Sequence, residues 1–374
     1  MKVALVSPSM GFGGAERMVA MLATGLAERS RDVILLAPPG ELDADLAEVA
    51  HERVRLEDHG RGLLGAASTA AQLARALRRM RPDVVHAQNV KAGAIARVAI
   101  TAAGIRAQHA GMPLVTTFHG VTPSEYRRAA LLLRGAQTVV CVSQDLRAGI
   151  VGAGLPAERV RVIANAVPLA SPLPEQRRAA LDAELGLGEA PVVSIVGRLV
   201  PQKAHARFLR AARVIVDNVP EARLLIVGDG PLRGPIEQAV ADAGLAGSVV
   251  LTGARADARA IAARSDVVVF SSDWEGLSIA ALEALAAATP IVATDVHGMR
   301  ELLRARAGAA QPCGAVVPLD DGTALGERVV ELLRDPAELA RMGATGRELI
   351  ERDYSLATMV DAYAAAYDKL AART

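Results

Sequence analysis

Aromatic side chains are nearly missing from this sequence: one Trp, four Tyr and four Phe among 374 residues. The core must therefore be filled by Ala, Leu, Val and Ile, and stacking platforms for single-stranded nucleic acid are not expected. Cysteine is as scarce. Cys141 and Cys313 lie far apart without metal-ligand spacing, and both read as reduced, small core residues of a cytosolic protein. No uncharged run is long enough for a membrane-spanning helix. The apolar run in Met1–Ser7 is too short for a signal peptide. The expected location is cytoplasmic, with peripheral contact at the inner face of a membrane left open. An excess of one charge is also lacking, with 42 basic and 41 acidic side chains, so no overall field favours a nucleic-acid or membrane partner. The charge is uneven along the chain, however. Residues 1–166 hold 20 Lys/Arg and 14 Asp/Glu. This is either ordinary surface variation or the mark of an N-terminal half that meets an anionic acceptor or membrane surface.

What the chain does have is rhythm. Short runs rich in β-branched residues, Val3–Ser7, Val33–Ala37, Val84–Ala87, Leu114–Phe118, Val139–Val142 and Val160–Ala164, alternate with helical stretches such as Leu63–Met80. The pattern restarts at Val192–Val196 and continues through Leu224–Val227, Val249–Leu251, Val267–Phe270, Ile291–Thr294 and Ala315–Val317. Continuous apolar strands alternating with helices predict parallel sheets covered on both faces. The break near 168–188, marked by Pro172, Pro174 and Gly186, predicts two doubly wound α/β domains, 1–170 and 185–355. Ligands of such domains bind beyond the carboxyl ends of the strands, and a cleft between two facing domains is the default site.

Several strand-to-helix junctions carry candidate chemistry. The first strand runs into Gly11-Phe12-Gly13-Gly14-Ala15-Glu16, where Gly13 and Gly14 let a ligand approach backbone at a helix N-terminus. Glu16 stands where a dinucleotide fingerprint wants glycine, which weakens a nicotinamide-dependent dehydrogenase reading. The first strand of the second domain leads into Gly197-Arg198-Leu199-Val200-Pro201-Gln202-Lys203. Arg198 offers a planar fork and Lys203 a point charge, a pair able to neutralise a diphosphate or simply two solvated loop cations. Gly228-Asp229-Gly230, and Thr252 with Gly253, are further turns that expose backbone on the same sheet edge. The densest motif is Asp273-Trp274-Glu275-Gly276-Leu277-Ser278-Ile279 followed by Glu283. A helix is expected from near Gly276, with the amides of Leu277, Ser278 and Ile279 free for phosphate or sugar oxygens. Glu283, two turns on, falls on roughly the face of Glu275. Such a carboxylate among Ala and Leu needs hydrogen-bond donors, which a ribose diol supplies, unless it points outward.

His119 ends an apolar strand before Gly120 and reads as a group projecting from the sheet edge, able to donate to a hydroxyl or a developing charge, or as a satisfied structural histidine. His86 also ends a strand and reads as supporting. Asp43-Ala44-Asp45 matches an acid-X-acid metal pattern, but lies in what reads as a solvated surface segment; no metal ligand is assigned. Glu125-Tyr126-Arg127-Arg128 and Arg134 flank Leu131-Leu132-Leu133, which is either an amphipathic acceptor or membrane edge or a packed helix with a solvated face.

Taken together, Gly13-Gly14-Ala15-Glu16-Arg17, Thr117-Phe118-His119-Gly120, Gly197-Arg198-Leu199 with Lys203, Glu275 through Glu283, and Thr289-Pro290-Ile291-Val292-Ala293-Thr294 resemble the family-4 retaining glycosyltransferases of the GT-B fold, two facing Rossmann-like domains with a cleft between them. The resemblance runs from residue 1 to about 355 in the family's motif order. It implies transfer of a sugar from a nucleoside-diphosphate sugar to a small-molecule, glycan or lipid acceptor, with retention. It further implies that Arg198 and Lys203 hold the diphosphate, Glu283 the ribose and Glu275 the sugar, with His119 reaching the sugar from the opposite domain. The last helix, 356–374, would cross back onto the N-terminal domain. Nucleobase, sugar and acceptor stay open, and no cofactor is needed, magnesium being at most stimulatory. Ala204, Ala166, Ala288 and His297 depart from the usual pattern, standing where glycine or other small residues are frequent. A nucleotide-sugar epimerase or sugar phosphorylase of the same fold, or a non-catalytic nucleotide-sugar-binding subunit, are the alternatives.

Overall fold

The computed structural model describes residues 1–11, 13–46, 49–57, 62–104, 112–169, 171–303 and 312–372. The chain divides into two compact units: Met1–Asn165 with Leu356–Thr374, and Ala166–Ser355. In the first unit the strands are β1 (Lys2–Val6), β2 (Asp32–Ala37), β3 (Glu52–Arg55), β4 (Val84–Ala87), β5 (Leu114–Phe118), β6 (Thr138–Cys141) and β7 (Val160–Val162). They form one parallel sheet in the order β3-β2-β1-β4-β5-β6-β7. The central strands are buried on both faces, which is why β1 and β2 read as apolar runs after their first residue.

The second unit contains β8 (Val192–Val196), β9 (Arg223–Val227), β10 (Val249–Gly253), β11 (Val267–Phe270), β12 (Ile291–Thr294) and β13 (Gly314–Val317), ordered β10-β9-β8-β11-β12-β13. Each sheet reverses direction once, beside β1 in the first unit and β8 in the second. Such a reversal leaves a crevice at the carboxyl ends of the two strands that flank it, because their crossover helices lie on opposite faces. In the second unit those strands are β8 and β11, paired through Val193–Val267 and Ser194–Val268.

Two expectations need correction. The boundary between units lies at Asn165–Ala166, not in the Pro-rich stretch that ends a first domain at 170 and opens a second at 185. Helix Glu175–Leu185 belongs to the second unit: Leu181 and Leu187 pack with Val192, Leu225 and Ile261. A strand was also missed. β3 reads Glu-Arg-Val-Arg, and an edge strand of this charge gives no apolar run to detect.

Helix Leu356–Ala371 packs on the first unit. It meets helix Gly14–Glu28 at Gly25, where an added Cβ would sit 2.4 Å from Val360 Cγ2. Arg29 and Arg31 extend the contact to Asp361 and Asp368, at 2.6 and 2.9 Å. Gly25→Val should therefore overpack this helix pair and destabilise the first unit by about 1–3 kcal/mol, with little change in the second. Urea unfolding followed by a probe in each unit checks this; equal loss in both would count against it.

Candidate active site

The carboxyl edge of the second sheet is laced by backbone. The Gly197 amide donates to the Val227 carbonyl and the Gly228 amide to the Gly253 carbonyl, both at 2.9 Å. Gly228 has φ +141°, and a Cβ there would lie 2.0 Å from the Gly197 carbonyl oxygen. Only glycine permits this approach. Thr252 turns its hydroxyl to the carbonyls of Ile226 and Gly253. The junctions after β8, β9 and β10 thus form one continuous ledge, beside which the Arg198 side chain is exposed.

Lys203 does not hang free in solvent. It closes the turn Pro201–Lys203, and its ammonium pairs with the Glu275 carboxylate, 72 residues away. Both side chains are largely buried, at 14% and 6% exposure. Ser272 donates to the same carboxylate oxygen, Oε1, at 2.7 Å. Three further bonds bind the two loops. Gln202 donates to the Trp274 carbonyl and the Asp273 amide to the Gln202 carbonyl, both at 2.9 Å, and Ser271 donates to the Lys203 carbonyl at 2.8 Å. Glu275 is thereby fixed at the reversal between β8 and β11.

The helix after this motif starts at Ile279 rather than near Gly276, with Ser278 as its cap accepting from the Ala281 amide. The competing principle is the cap. A serine hydroxyl serves the first turn better from outside it. Glu275, Gly276, Leu277 and Ser278 therefore form an extended loop, and the shared-face argument linking Glu275 to Glu283 does not hold. Glu283 itself is inward-facing, 7% exposed, with the Arg259 guanidinium 3.6 Å away. Helix His297–Leu303 braces the loop from behind: a Cβ on Gly298 would fall 1.4 Å from the Gly276 carbonyl oxygen.

Three residues with a part in this site escaped the sequence reading. Arg207, 7% exposed, donates to the Ser271 carbonyl and to Asp273, the latter at 2.9 Å, so it holds the loop that presents Ser272 and Glu275. Ser272 gave no signal of its own. His205 follows Ala204 and is buried, with its pKa lowered to about 4 by burial and by the charge of Lys203. Ala204, noted above as a departure, has φ +47°. The left-handed turn that glycine or asparagine makes easily is formed here by alanine at a cost of about 1–2 kcal/mol.

In the first unit, Gly13 caps and Gly14 opens helix Gly14–Glu28. The Glu16 carboxylate folds back over Gly13, where an added Cβ would meet Oε2 at 2.2 Å, and accepts from the Ser9 hydroxyl. His119 follows β5, partly buried, with its pKa lowered to about 4 by burial. Behind it lies a buried polar chain. His86 Nδ1 and the Tyr367 hydroxyl are 2.6 Å apart, Nε2 and the Thr117 hydroxyl 2.7 Å, and Thr117 and the Tyr363 hydroxyl 3.1 Å. Burial, and after it the nearby His119, lower the His86 pKa to about 3. His86 is supporting in the literal sense. It fastens β5, which carries His119, to the final helix.

Asp43 of the acid-X-acid pattern is not simply solvated, since its carboxylate pairs with Arg53 of β3. Among the described residues no group of three His, Cys, Asp or Glu is placed to hold a metal ion. Cys141 and Cys313 are buried free thiols, pushed up to about 12 and 11 by burial.

Two predictions follow from these charges. Lys203→Ala leaves a buried carboxylate without its cation and should cost about 3 kcal/mol of second-unit stability. Adding Glu275→Gln, which keeps a hydrogen-bonding group for Ser272, should recover most of that loss. Denaturant midpoints of the two singles and the double decide it, and strict additivity would contradict the pairing. The second concerns acid. Three histidines are held below their ordinary 6.5 in the folded chain, so the unfolded chain binds protons first as pH falls. Their contribution is complete above pH 6.5 and is lost progressively as pH falls, towards 4 for His119 and His205 and towards 3 for His86. Urea midpoints across that range should fall less steeply in His86→Gln than in the parent.

Comparison with known proteins agrees with this architecture. Residues 12–171 match Glycosyltransferase Family 4 and residues 190–335 match Glycosyl transferases group 1. The chain is 28% identical over 364 residues to the lipopolysaccharide core biosynthesis glycosyltransferase LpsD of Rhizobium meliloti (strain 1021), covering 96% of this chain and 95% of that one. It is 31% identical over 282 residues to the GDP-mannose-dependent alpha-(1-6)-phosphatidylinositol monomannoside mannosyltransferase of Mycobacterium tuberculosis (strain CDC 1551 / Oshkosh), covering 71% and 72%. Among solved structures, HepE of Anabaena in complex with UDP-glucose superimposes with a TM-score of 0.84 at 21% identity, over 99% of this chain and 100% of that one. The chain therefore belongs to the family-4, group 1 glycosyltransferases, transferase enzymes with two Rossmann-like domains of the GT-B fold.

Proposed function

We propose that this enzyme transfers a sugar from a nucleoside-diphosphate sugar to a glycan or lipid-linked acceptor, retaining the anomeric configuration and needing no metal ion. The observation that carries the reading is the buried Lys203–Glu275 pair, set beside the glycine ledge and the exposed Arg198. The diphosphate bridge of a nucleotide sugar is a dianion; Arg198 offers it a full positive charge, Lys203 a charge shared with Glu275, and backbone amides supply further donors. In this scheme Arg198 and Lys203 take the diphosphate oxygens, together with backbone amides of the Gly276–Ile279 stretch. Glu283 accepts from the ribose hydroxyls, and the ledge at Thr252 and Gly253 lies against the base. Glu275 uses Oε1 for Lys203 and Ser272, and Oε2 is assigned to a sugar hydroxyl. His119, neutral at pH 7, is assigned as a donor to the sugar, with Gly13 and Gly14 giving backbone access in the first unit. The mannosyltransferase relative is named for GDP-mannose and a phosphatidylinositol mannoside, and the Anabaena structure holds UDP-glucose. These names support a nucleotide-sugar donor here and an acceptor carried by lipid or glycan.

The acceptor oxygen attacks the anomeric carbon as the bond to the β-phosphate oxygen breaks. The bonding pair leaves on the phosphate, which accepts the acceptor's proton, so attack and departure share one face of the sugar. Charge gathers on the leaving oxygen, where preorganised cations contribute most. Arg198 is exposed and outside the core, so Arg198→Ala should unfold as the parent does while turnover falls roughly a hundredfold. EDTA should leave the rate intact, and NMR of the first-formed product should show the donor's anomeric configuration. An inverted product defeats the stereochemical assignment, and abolition by EDTA defeats the metal-free one.

A further inference from the structure

The surplus positive charge of this chain is confined to one segment. Residues 1–90 hold eleven Lys/Arg and eleven Asp/Glu, whereas residues 91–161 hold nine and three. Within that segment, helix Tyr126–Leu133 has two unlike faces. Ala129, Ala130 and Leu133 are buried, while Arg127, Arg128, Leu131 and Leu132 span the outer 140° or so at about 100° per residue. Leu131 is 65% and Leu132 40% exposed. The helix is packed on one face and exposed on the other, as both readings of the sequence require. The outer face continues onto helix Val90–Ala102. A Cβ on Gly135 would find Arg97 Cγ at 3.1 Å and the Leu132 carbonyl at 3.5 Å, and the next residue, Val98, is 57% exposed. Arg134 adds a fourth cation, its guanidinium steadied by the Gly154 carbonyl. The acidic residues of the segment are Glu125, Asp145 and Glu158, and Glu125 is engaged in the turn at Thr122.

We infer that this face, Arg97, Val98, Arg127, Arg128, Leu131 and Leu132, docks the enzyme on an anionic lipid bilayer. Three exposed aliphatic side chains ringed by arginines suit the headgroup–acyl boundary, where the leucines enter and the guanidinium groups meet lipid phosphates. The inference rests on the proposed lipid-linked acceptor and adds where the enzyme sits while using it. The docking helix is also anchored to the site. Tyr126 packs edge-on against Phe118 with ring centroids 5.7 Å apart, and Phe118 is the residue before His119. A Cβ on Gly149 would meet the same tyrosine ring at 2.5 Å, so the seat is tight.

Co-sedimentation of the full-length protein with vesicles tests this. It should bind vesicles of equal phosphatidylglycerol and phosphatidylcholine at low salt, bind pure phosphatidylcholine poorly, and be released by added salt. Each arginine is worth roughly fivefold in partitioning, so Arg127→Gln/Arg128→Gln should weaken binding about 25-fold. Leu131→Gln/Leu132→Gln should weaken it as well, and both variants should keep the parent's unfolding midpoint and its slow donor hydrolysis. Binding that is equal on both vesicle types, absent from the anionic ones, or undiminished in the variants overturns the inference. So does sedimentation velocity showing a dimer that Leu131→Gln/Leu132→Gln dissolves, since a second copy would then cover the face. Failure of the transferase reading registers separately, as absence of product from any nucleotide sugar with the docking unchanged.

Discussion

The second unit is organised around a charge that must not be left alone. Glu275 is buried at the one place where its sheet reverses direction, and a buried carboxylate is tolerable only with a cation and further donors. Lys203 and Ser272 supply these, and in doing so they join the loop after β8 to the loop after β11. Everything else at that edge serves the same end. Arg207 grips the Ser271 carbonyl and the Asp273 carboxylate on either side of Ser272, Gln202 crosses to Trp274, and Gly298 presses its bare backbone on Gly276. The outcome is a fixed ammonium at the mouth of the crevice, with its long stem already ordered. An anion arriving there does not have to immobilise the lysine, which is the usual cost of recruiting so flexible a side chain.

The same edge shows why so much of the surface is glycine. At Gly197, Gly228 and Gly253 the strands end with carbonyls and amides nearly in contact. A Cβ at Gly228 would strike the Gly197 carbonyl oxygen and push the turns apart, and one at Gly197 would press on the Lys203 stem. Shape at this edge comes from backbone, and the positive charge beside it from Arg198 and Lys203. The corresponding loop of the first unit differs, because Glu16 covers Gly13 with a carboxylate. A negative group held there suits contact with hydroxyls rather than with phosphate.

Most of the fold was legible because parallel strands buried on both faces must be apolar throughout, and such runs stand out between helices. β3 was not legible, for the opposite reason: an edge strand of Glu, Arg, Val and Arg has no run to find. The helix at Ile279 was placed three residues too early, since glycine after glutamate suggests a start while the serine cap actually sets it. Arg198, Lys203, Glu275 and Glu283 stood out as charges beside glycines or among alanines. Their pairing did not, because nothing in the sequence ties residue 203 to residue 275. Arg207 shows the limit most clearly. On an amphipathic helix an arginine reads as solvent-facing, and only the assembled sheet shows it turned under the loop.

The final helix brings Tyr363 and Tyr367 into the middle of the first unit, where they complete the hydrogen bonds of Thr117 and His86. In the chain, that helix comes after the whole of the second unit. On the ribosome, the N-terminal sheet must therefore wait for nearly two hundred further residues before its buried histidine is covered. Until then a polar gap lies open beneath β4 and β5, and the N-terminal unit is the first begun and the last closed. Vectorial synthesis thus makes the fold of the first half contingent on the successful emergence of the second.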